Sequence, residues 1–200
     1  MKKIDMISLD DAVINEQNKS KYFEFYDIIF DTINETYRYL FYLEGIKEFF
    51  GENYHLKGRH YEYFIKDILV VLKQKICLNI WKLLMDCGKG TLSIYKMKKT
   101  LYDEFKCSVN VKNIKINSDL EKSIKGIRNT SISHNLHTDI EYTLEMRDLK
   151  VLLGQTYQYF QKLWVKNLVG DNRFIADGYF EELEHLYKDS VKSVLKGIIA

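Results

Sequence analysis

Hydrophobic residues recur at spacings of three and four along most of the chain, which is the pattern of amphipathic helices. The first such stripe consists of Phe23, Tyr26, Phe30, Ile33, Tyr37 and Leu40. It predicts a first helix that ends near Gly45 to Gly51, because glycine commonly follows the last periodic residue. A second helix is predicted from near Gly58 to Leu83. Because its sequence is apolar over much of its circumference, we expect it to be the central helix.

The middle of the chain carries two helix-start signals. Asp86 to Gly90 interrupts the second helix, and Ser93 can then cap a short helix. The side of this helix expected to be buried consists of Ile94, Met97, Leu101 and Phe105. Residues 107–117 are compatible with either a loop or a short extended stretch. The sequence from Ser118 to Glu121 has the spacing of a capping box and predicts the start of a fourth helix.

Two further stripes follow toward the carboxyl end. One predicts a helix from Thr143 to about Asn167, with Gly170 at its stop; its stripe is Leu149, Leu153, Tyr157, Phe160 and Trp164. Asp177 can cap the last predicted helix. Its hydrophobic stripe consists of Phe180, Leu183, Tyr187, Val191, Val194 and Ile198. The chain contains no proline, so helices can run without interruption. We therefore expect one all-α domain over residues 1–200, a bundle of five to six helices. Residues 1–19 are expected to be a flexible segment, and 177–198 an additional C-terminal helix.

Composition narrows the class of protein. Apolar residues make up 46% of the chain and charged residues 29%, so a packed core is expected. The formal net charge is +2, which excludes a global positive field, so any contact with nucleic acid has to come from a local patch. The cysteines are Cys77, Cys87 and Cys107, without metal-ligand spacing. We expect them to fill the core in a reducing compartment, and we expect no cofactor.

Neither export nor membrane insertion is expected. Residues 1–17 mix charges of both signs and lack the apolar stretch of a signal peptide. The longest apolar run, Ile68 to Leu72, is far shorter than the roughly 20 residues that a membrane span requires. These features predict a cytoplasmic protein without a membrane partner.

The segment with recognisable chemistry follows the start of the fourth helix. Arg128, Asn129 and His134 place a guanidinium, an amide and an imidazole within two helical turns. Arginine can bind a phosphate through two donors, and histidine can exchange a proton near neutral pH. RNA carries its own nucleophile, the 2′-hydroxyl, so a base and a cation suffice to cut it without metal. The residue types therefore suit phosphodiester cleavage.

This segment resembles the signature of the HEPN superfamily, which is Arg, a polar residue, four to six others and His. Upstream, Trp81 to Asp86 and Thr91 to Ile94 are similar to the AbiU-type abortive-infection branch, so the resemblance spans roughly residues 20–168. The chain departs from the family pattern at Ser133, where alanine is frequent, and at Thr130, where a basic residue is frequent. The resemblance implies an RNA substrate and a homodimer whose two motifs line one cleft. It also implies a defence or toxin setting, in which an antitoxin or other regulatory protein would restrain the activity.

In this interpretation Arg128 stabilises the phosphorane, Asn129 orients the phosphate or Arg128, and His134 is the base or acid. The positions expected to contact substrate around them are Lys125, Ser133, Asn135 and His137. On an ideal helix Arg128 and His134 lie about 120° and about 9 Å apart, too far to share one phosphate. Either the helix ends between them, or a twofold axis supplies the missing groups.

Two alternatives remain for this segment. His134, His137 and Asp139 are spaced as metal ligands could be, but further ligands are lacking, so no metal is expected. The set of Arg128, Asn129 and His134 could also belong to a non-catalytic helical module that binds a partner protein, a nucleotide or RNA. Substitution of His134 distinguishes this module from a nuclease, because only the nuclease depends on the imidazole.

Overall fold

The computed structural model describes residues 7–8, 16–52, 61–86, 88, 92–132, 144–163 and 179–199. Within these ranges the chain forms six helices and one pair of two-residue strands. The elements in chain order are β1 (Ile7–Ser8), α1 (Glu16–Glu52), α2 (Tyr61–Leu84), α3 (Ile94–Asp103), β2 (Cys107–Ser108), α4 (Ser118–Ile132), α5 (Met146–Gln161) and α6 (Tyr179–Ile199). The prediction of an all-α helical bundle is therefore confirmed.

The central helix is α1, and the expectation that α2 would be central is wrong. Helix α1 spans 37 residues and packs against α2, α3, α5 and α6. Its fully buried side chains include Ile29, Ile33, Leu40 and Leu43. Helix α2 instead leaves Phe64 57% exposed and Val71 51% exposed. An apolar circumference predicts burial, but it does not show how many neighbouring helices are present to cover it.

Glycine 45 does not end α1, which continues to Glu52. A Cβ atom added at Gly45 would lie 2.6 Å from Cγ1 of Val191 and 3.1 Å from Cα of Lys188 in α6. These distances are shorter than ordinary van der Waals contact, so only glycine fits here without a shift of α6. At this position the residue serves the close approach of two helices, as glycine does where backbones come together.

Helix α3 follows the prediction closely. The Ser93 hydroxyl accepts a hydrogen bond from the Lys96 amide at 3.3 Å, as an N-cap does. Ile94, Met97 and Leu101 are buried, as their spacing indicates, and Phe105 is partly buried in the turn that follows. Before α3, the Asp86 carboxylate accepts a hydrogen bond from the Gly88 amide at 3.0 Å, in the segment that was expected to break α2.

Two of the cysteines are core residues, as expected. Cys77 and Cys107 are free thiols with 0% and 1% of their surface exposed. Burial raises the pKa of Cys77 to about 12 and also raises the pKa of Cys107, because the thiolate loses its hydration in an apolar environment. Both thiols therefore stay protonated at neutral pH. Cys87 lies outside the described residues.

Regular structure extends into the segment expected to be flexible. Ile7–Ser8 pairs in parallel with Cys107–Ser108, and α1 begins at Glu16. The stretch 107–117, left open between loop and extended structure, thus begins with a short strand and continues irregularly to Asn117. The side chain of Tyr95 holds this irregular part by accepting a hydrogen bond from the Ile114 amide at 3.1 Å.

The last two helices differ in how much of their predicted stripes they bury, α5 burying three residues and α6 one. Helix α5 buries Leu149, Leu153 and Phe160, but it ends at Gln161, before the predicted Asn167. Helix α6 buries Phe180, whereas Val194 and Ile198 remain 60% and 54% exposed. These two were expected to be buried; they lie along an open groove rather than against a helix. Trp164, Gly170 and Asp177 lie outside the described residues.

Candidate functional site on helix α4

Helix α4 begins one residue earlier than the capping-box pattern indicates. The side chain of Asn117 accepts a hydrogen bond from the Asp119 amide at 2.9 Å, and its carbonyl accepts one from the Glu121 amide at 2.9 Å. Asn117 is therefore the N-cap, and Ser118 is the first helical residue. Asp119 and Glu121 lie in the first turn, where their charges complement the helix dipole.

Arg128 lies over the indole ring of Trp81 in α2. Its position follows from Ile124, which is fully buried one helical turn earlier on the same side of α4. One turn later this side faces Trp81, and the guanidinium carbon of Arg128 lies 4.8 Å from the ring centre. A cation within about 6 Å of an indole face is attracted by the ring quadrupole. The contact thus restricts where the guanidinium can be.

Asn129 holds the same guanidinium from a second direction. Nη1 of Arg128 donates a hydrogen bond to Oδ1 of Asn129 at 3.2 Å. Asn129 is exposed, and Arg128 is partly buried. The amide oxygen of Asn129 is therefore directed to Arg128, a contact that is compatible with the predicted role of orienting that arginine.

Lys125 lies beside Arg128 and contacts the same ring. Its ammonium is 5.9 Å from the centre of Trp81 and 2.5 Å from a carboxylate oxygen of Glu121. One turn before it, Lys122 forms a longer ion pair of 3.8 Å with Asp119. Lys122, Lys125 and Arg128 follow at spacings of three, so each is a neighbour of the next on the surface of α4. We call these three residues the cationic face of α4.

The surrounding sequence is rich in positive charge. Residues 106–128 contain two acidic side chains, Asp119 and Glu121, against Lys106, Lys112, Lys115, Lys122, Lys125 and Arg128. All five of these lysines are exposed. Helix α1 has the opposite balance, with more carboxylates than cations. The nearly neutral chain thus carries a local basic region that includes the cationic face.

The other predicted site residues lie outside the described part of the chain. These are His134, Ser133, Asn135 and His137. The structure therefore brings together Arg128, Asn129 and Lys125, and it leaves the position of the imidazole a prediction. Helix α4 continues without a break from Arg128 through Ile132. Thr130 and Ser131 lie within the helix.

Trp81 is the residue of this site that sequence reasoning did not assign to it. It was noted only within the segment from Trp81 to Asp86 that resembles the abortive-infection branch. No periodic signal connects it with Arg128, because the contact depends on how α2 and α4 pack, and that packing is long-range in sequence.

A polar cavity of about 470 Å³ is lined by residues of α1 and by Tyr187 of α6, and includes Asn34, Glu35 and Arg38 in its lining. Tyr39 and Asn79 donate hydrogen bonds to Glu35 at 2.7 and 2.9 Å. The bond from Tyr39 outweighs the effect of burial and holds the pKa of Glu35 below its ordinary value. Because both oxygens of this carboxylate already accept hydrogen bonds, we assign no chemistry to the cavity.

Among the described residues, no group of three or more histidine, cysteine, aspartate or glutamate side chains lies close enough together to hold a metal ion. His134, His137 and Asp139 lie outside these residues. In the same part of the chain, no helix combines the length and apolarity needed to cross a membrane.

Comparisons with known proteins give no relative. No family model, no curated protein and no solved structure matches the chain. Function is therefore inferred from the residues themselves and from the resemblance of the segment around Arg128 and His134.

Proposed function

We propose that the protein is a metal-independent endoribonuclease of the HEPN type, acting as a homodimer in phage defence or as a toxin in the cytoplasm. The observation that carries the proposal is the placement of Arg128. Its guanidinium lies against Trp81 and Asn129 on a late helix of an all-helical chain. An arginine held in this way is prepared to stabilise charge that develops on a phosphate, because little reorganisation is needed at the moment of reaction.

The proposed reaction uses the 2′-hydroxyl of RNA as the nucleophile. The 2′-oxygen bonds to phosphorus, the bond to the 5′-oxygen breaks, and the products are a 2′,3′-cyclic phosphate and a 5′-hydroxyl end. His134 takes the proton from the 2′-oxygen or gives one to the leaving 5′-oxygen. Arg128 stabilises the added charge of the phosphorane, and Asn129 orients Arg128. Lys125, Ser133, Asn135 and His137 contact the RNA around the cut.

The basic region supports RNA as the substrate. Lys122 and Lys125 continue the line of Arg128 along α4, so successive phosphates of a strand can meet successive cations. Both lysines pair with carboxylates of their own helix, at 3.8 and 2.5 Å. These pairs are exposed and therefore weak, so a phosphate can compete with them.

A homodimer would bring together catalytic groups that lie too far apart within one chain. On an ideal helix, which α4 follows through Ile132, residues spaced like Arg128 and His134 lie about 9 Å apart, too far to share one phosphate. A second copy brings its own pair to the same cleft. The chain has a mass of 23.8 kDa, and we expect twice that value in solution by light scattering. A strict monomer at assay concentration would contradict the composite cleft.

The deciding experiment is cleavage of end-labelled RNA with EDTA present. The wild type is expected to leave 2′,3′-cyclic or 3′-phosphate ends, and His134→Ala is expected to lose cleavage. His185→Ala on the exposed surface of α6 is the matched control and should cut like the wild type. If no RNA is cut by the wild type across structured and single-stranded substrates, the proposal fails for the protein in isolation.

A second candidate function is a binding module for a partner protein, which in a toxin system would be an antitoxin or regulator. The observation that favours it is an open apolar groove of about 240 Å³ along α1, α2 and α6. Phe64, Val194 and Ile198 line this groove, and each is more than half exposed. A module of this kind should tolerate His134→Ala, whereas the nuclease should not.

A further inference from the structure

We propose that Trp81 is the positioning residue of the site: its indole holds the Arg128 guanidinium in the orientation that the scissile phosphate requires. This rests on the proposed function, because it assigns Trp81 a role in the same reaction. Trp81 itself contacts no reacting atom in this proposal. It acts through Arg128.

The geometry provides two fixed points for one planar group. The ring of Trp81 lies 4.8 Å from the guanidinium carbon on one side, and Oδ1 of Asn129 accepts from Nη1 at 3.2 Å. A guanidinium is rigid and planar, with its donors at the edge of the plane. Contact with a ring and a hydrogen bond to one edge nitrogen together limit both its position and its rotation. A flexible side chain is thereby confined before substrate arrives.

Trp81 is suited to this task because its own surroundings are rigid. Its neighbours Ile80 and Leu83 are each 1% exposed, so α2 is anchored in the core at this point. Trp81 is partly buried and packs against that core. The ammonium of Lys125 lies 5.9 Å from the same ring. The indole is thus a platform shared by two residues of the cationic face.

This role predicts a specific kinetic effect. Loss of the indole leaves the charge of Arg128 in place but frees its orientation, so the transition state loses more than the ground state does. A displacement of about 1 Å can cost about 100-fold in rate. We therefore expect kcat to fall by about 10- to 100-fold while KM changes by less than about threefold.

The first test compares Trp81→Phe, which keeps an aromatic face, with Trp81→Leu, which keeps only apolar bulk. Trp81→Phe should retain cleavage within a few-fold, and Trp81→Leu should show the fall in kcat. Arg128→Lys keeps the positive charge but removes the planar guanidinium. The falls in kcat caused by Arg128→Lys and by Trp81→Leu should therefore not add in the double variant. Equal rates for Phe and Leu variants, or fully additive losses, would overturn the positioning role. Thermal unfolding of each variant shows whether it is folded.

A second test does not depend on cleavage. The chain has two tryptophans, so in Trp164→Phe the emission reports Trp81 alone. Adding Arg128→Ala to that variant should change the emission, because the cation leaves the indole. If the wild type cuts no RNA, the proposed nuclease fails, and the emission alone decides whether Trp81 holds Arg128. Unchanged emission would refute the contact.

Discussion

Lys188 of α6 donates a hydrogen bond to Glu48 of α1 at 2.7 Å, and this bond joins the first and last of the described helices. The same ammonium lies 3.0 Å from Glu44 and 2.8 Å from Glu184. Burial of the ammonium lowers the pKa of Lys188, but the three carboxylates together outweigh it and raise that pKa. The bond from Lys188 also holds the pKa of Glu48 below its ordinary value, against the opposing effect of burial.

The cluster around Lys188 makes stability depend on acid. Because the folded-state pKa of Glu48 is lower than its unfolded value, the stabilisation is fully present above about pH 4.5 and is lost as the pH falls through the folded-state pKa. Glu48 is 41% exposed, so solvent screening keeps its share below about 1 kcal/mol. Urea unfolding between pH 7 and pH 3 measures this. Lys188→Met should be less stable at pH 7 and should lose less on acidification; an unchanged acid slope would contradict the assignment.

Gly45→Ala should destabilise the fold by about 1 to 3 kcal/mol, because the added methyl group overlaps Val191 and the α6 backbone. Gly51→Ala is the control on the same helix. Nothing lies within 4 Å of its added Cβ, so the change should be neutral or slightly stabilising through helix propensity. Chemical denaturation of both variants provides the comparison, and equal effects would show that α1 and α6 are not closely packed at Gly45.

Asn117→Ala should cost about 1 kcal/mol of stability, since it removes the side chain that accepts from the Asp119 amide. Ser118→Ala should have little effect, because Ser118 is exposed and lies inside the helix. The helical signal and the unfolding free energy of the two variants measure this. The reverse order of effects would restore Ser118 as the cap.

Glu121→Gln should strengthen RNA binding by about two- to fivefold at low salt, because Lys125 loses its competing carboxylate. The gain should shrink as salt is raised, since exposed charges are screened. Glu104→Gln is the matched control: it makes the same change in net charge and breaks the pair of Glu104 with Lys21, which lies outside α4. Fluorescence anisotropy of a labelled RNA measures both. Equal gains would indicate a general effect of charge rather than a contact at Lys125.

The helices with simple one-sided patterns could be predicted from sequence, and Ser93 with Ile94, Met97 and Leu101 is the clearest case. The central place of α1 could not, because hydrophobic spacing describes one helix at a time, while burial depends on every helix that packs against it. Gly45 shows a related difficulty. The local sequence around a glycine does not show whether the helix ends there or whether a second helix packs closely against it. For Gly45 only the position of Val191 in the folded protein shows that the second is the case.

The candidate site likewise contains residues that could be predicted from the sequence and one that could not. The neighbouring residues Arg128 and Asn129 could be predicted as a pair, since a motif is a local pattern. Trp81 reaches them through the packing of α2 against α4, which no spacing within either helix records. The cap of α4 was misplaced by one residue because Asn117 and Ser118 are both good N-caps, and the choice between them depends on the irregular chain that leads into the helix.

The pairing of α1 with α6 also governs the order in which the fold can be completed during synthesis. Tyr37 stacks on Phe180 with ring centres 3.8 Å apart, and Lys188 meets Glu48 across 140 positions of sequence. When α1 leaves the ribosome, one of its apolar sides therefore has no partner until α6 follows. Contacts of such high sequence separation form late and slowly. The nascent chain therefore leaves this side of α1 without its α6 contacts through most of its translation.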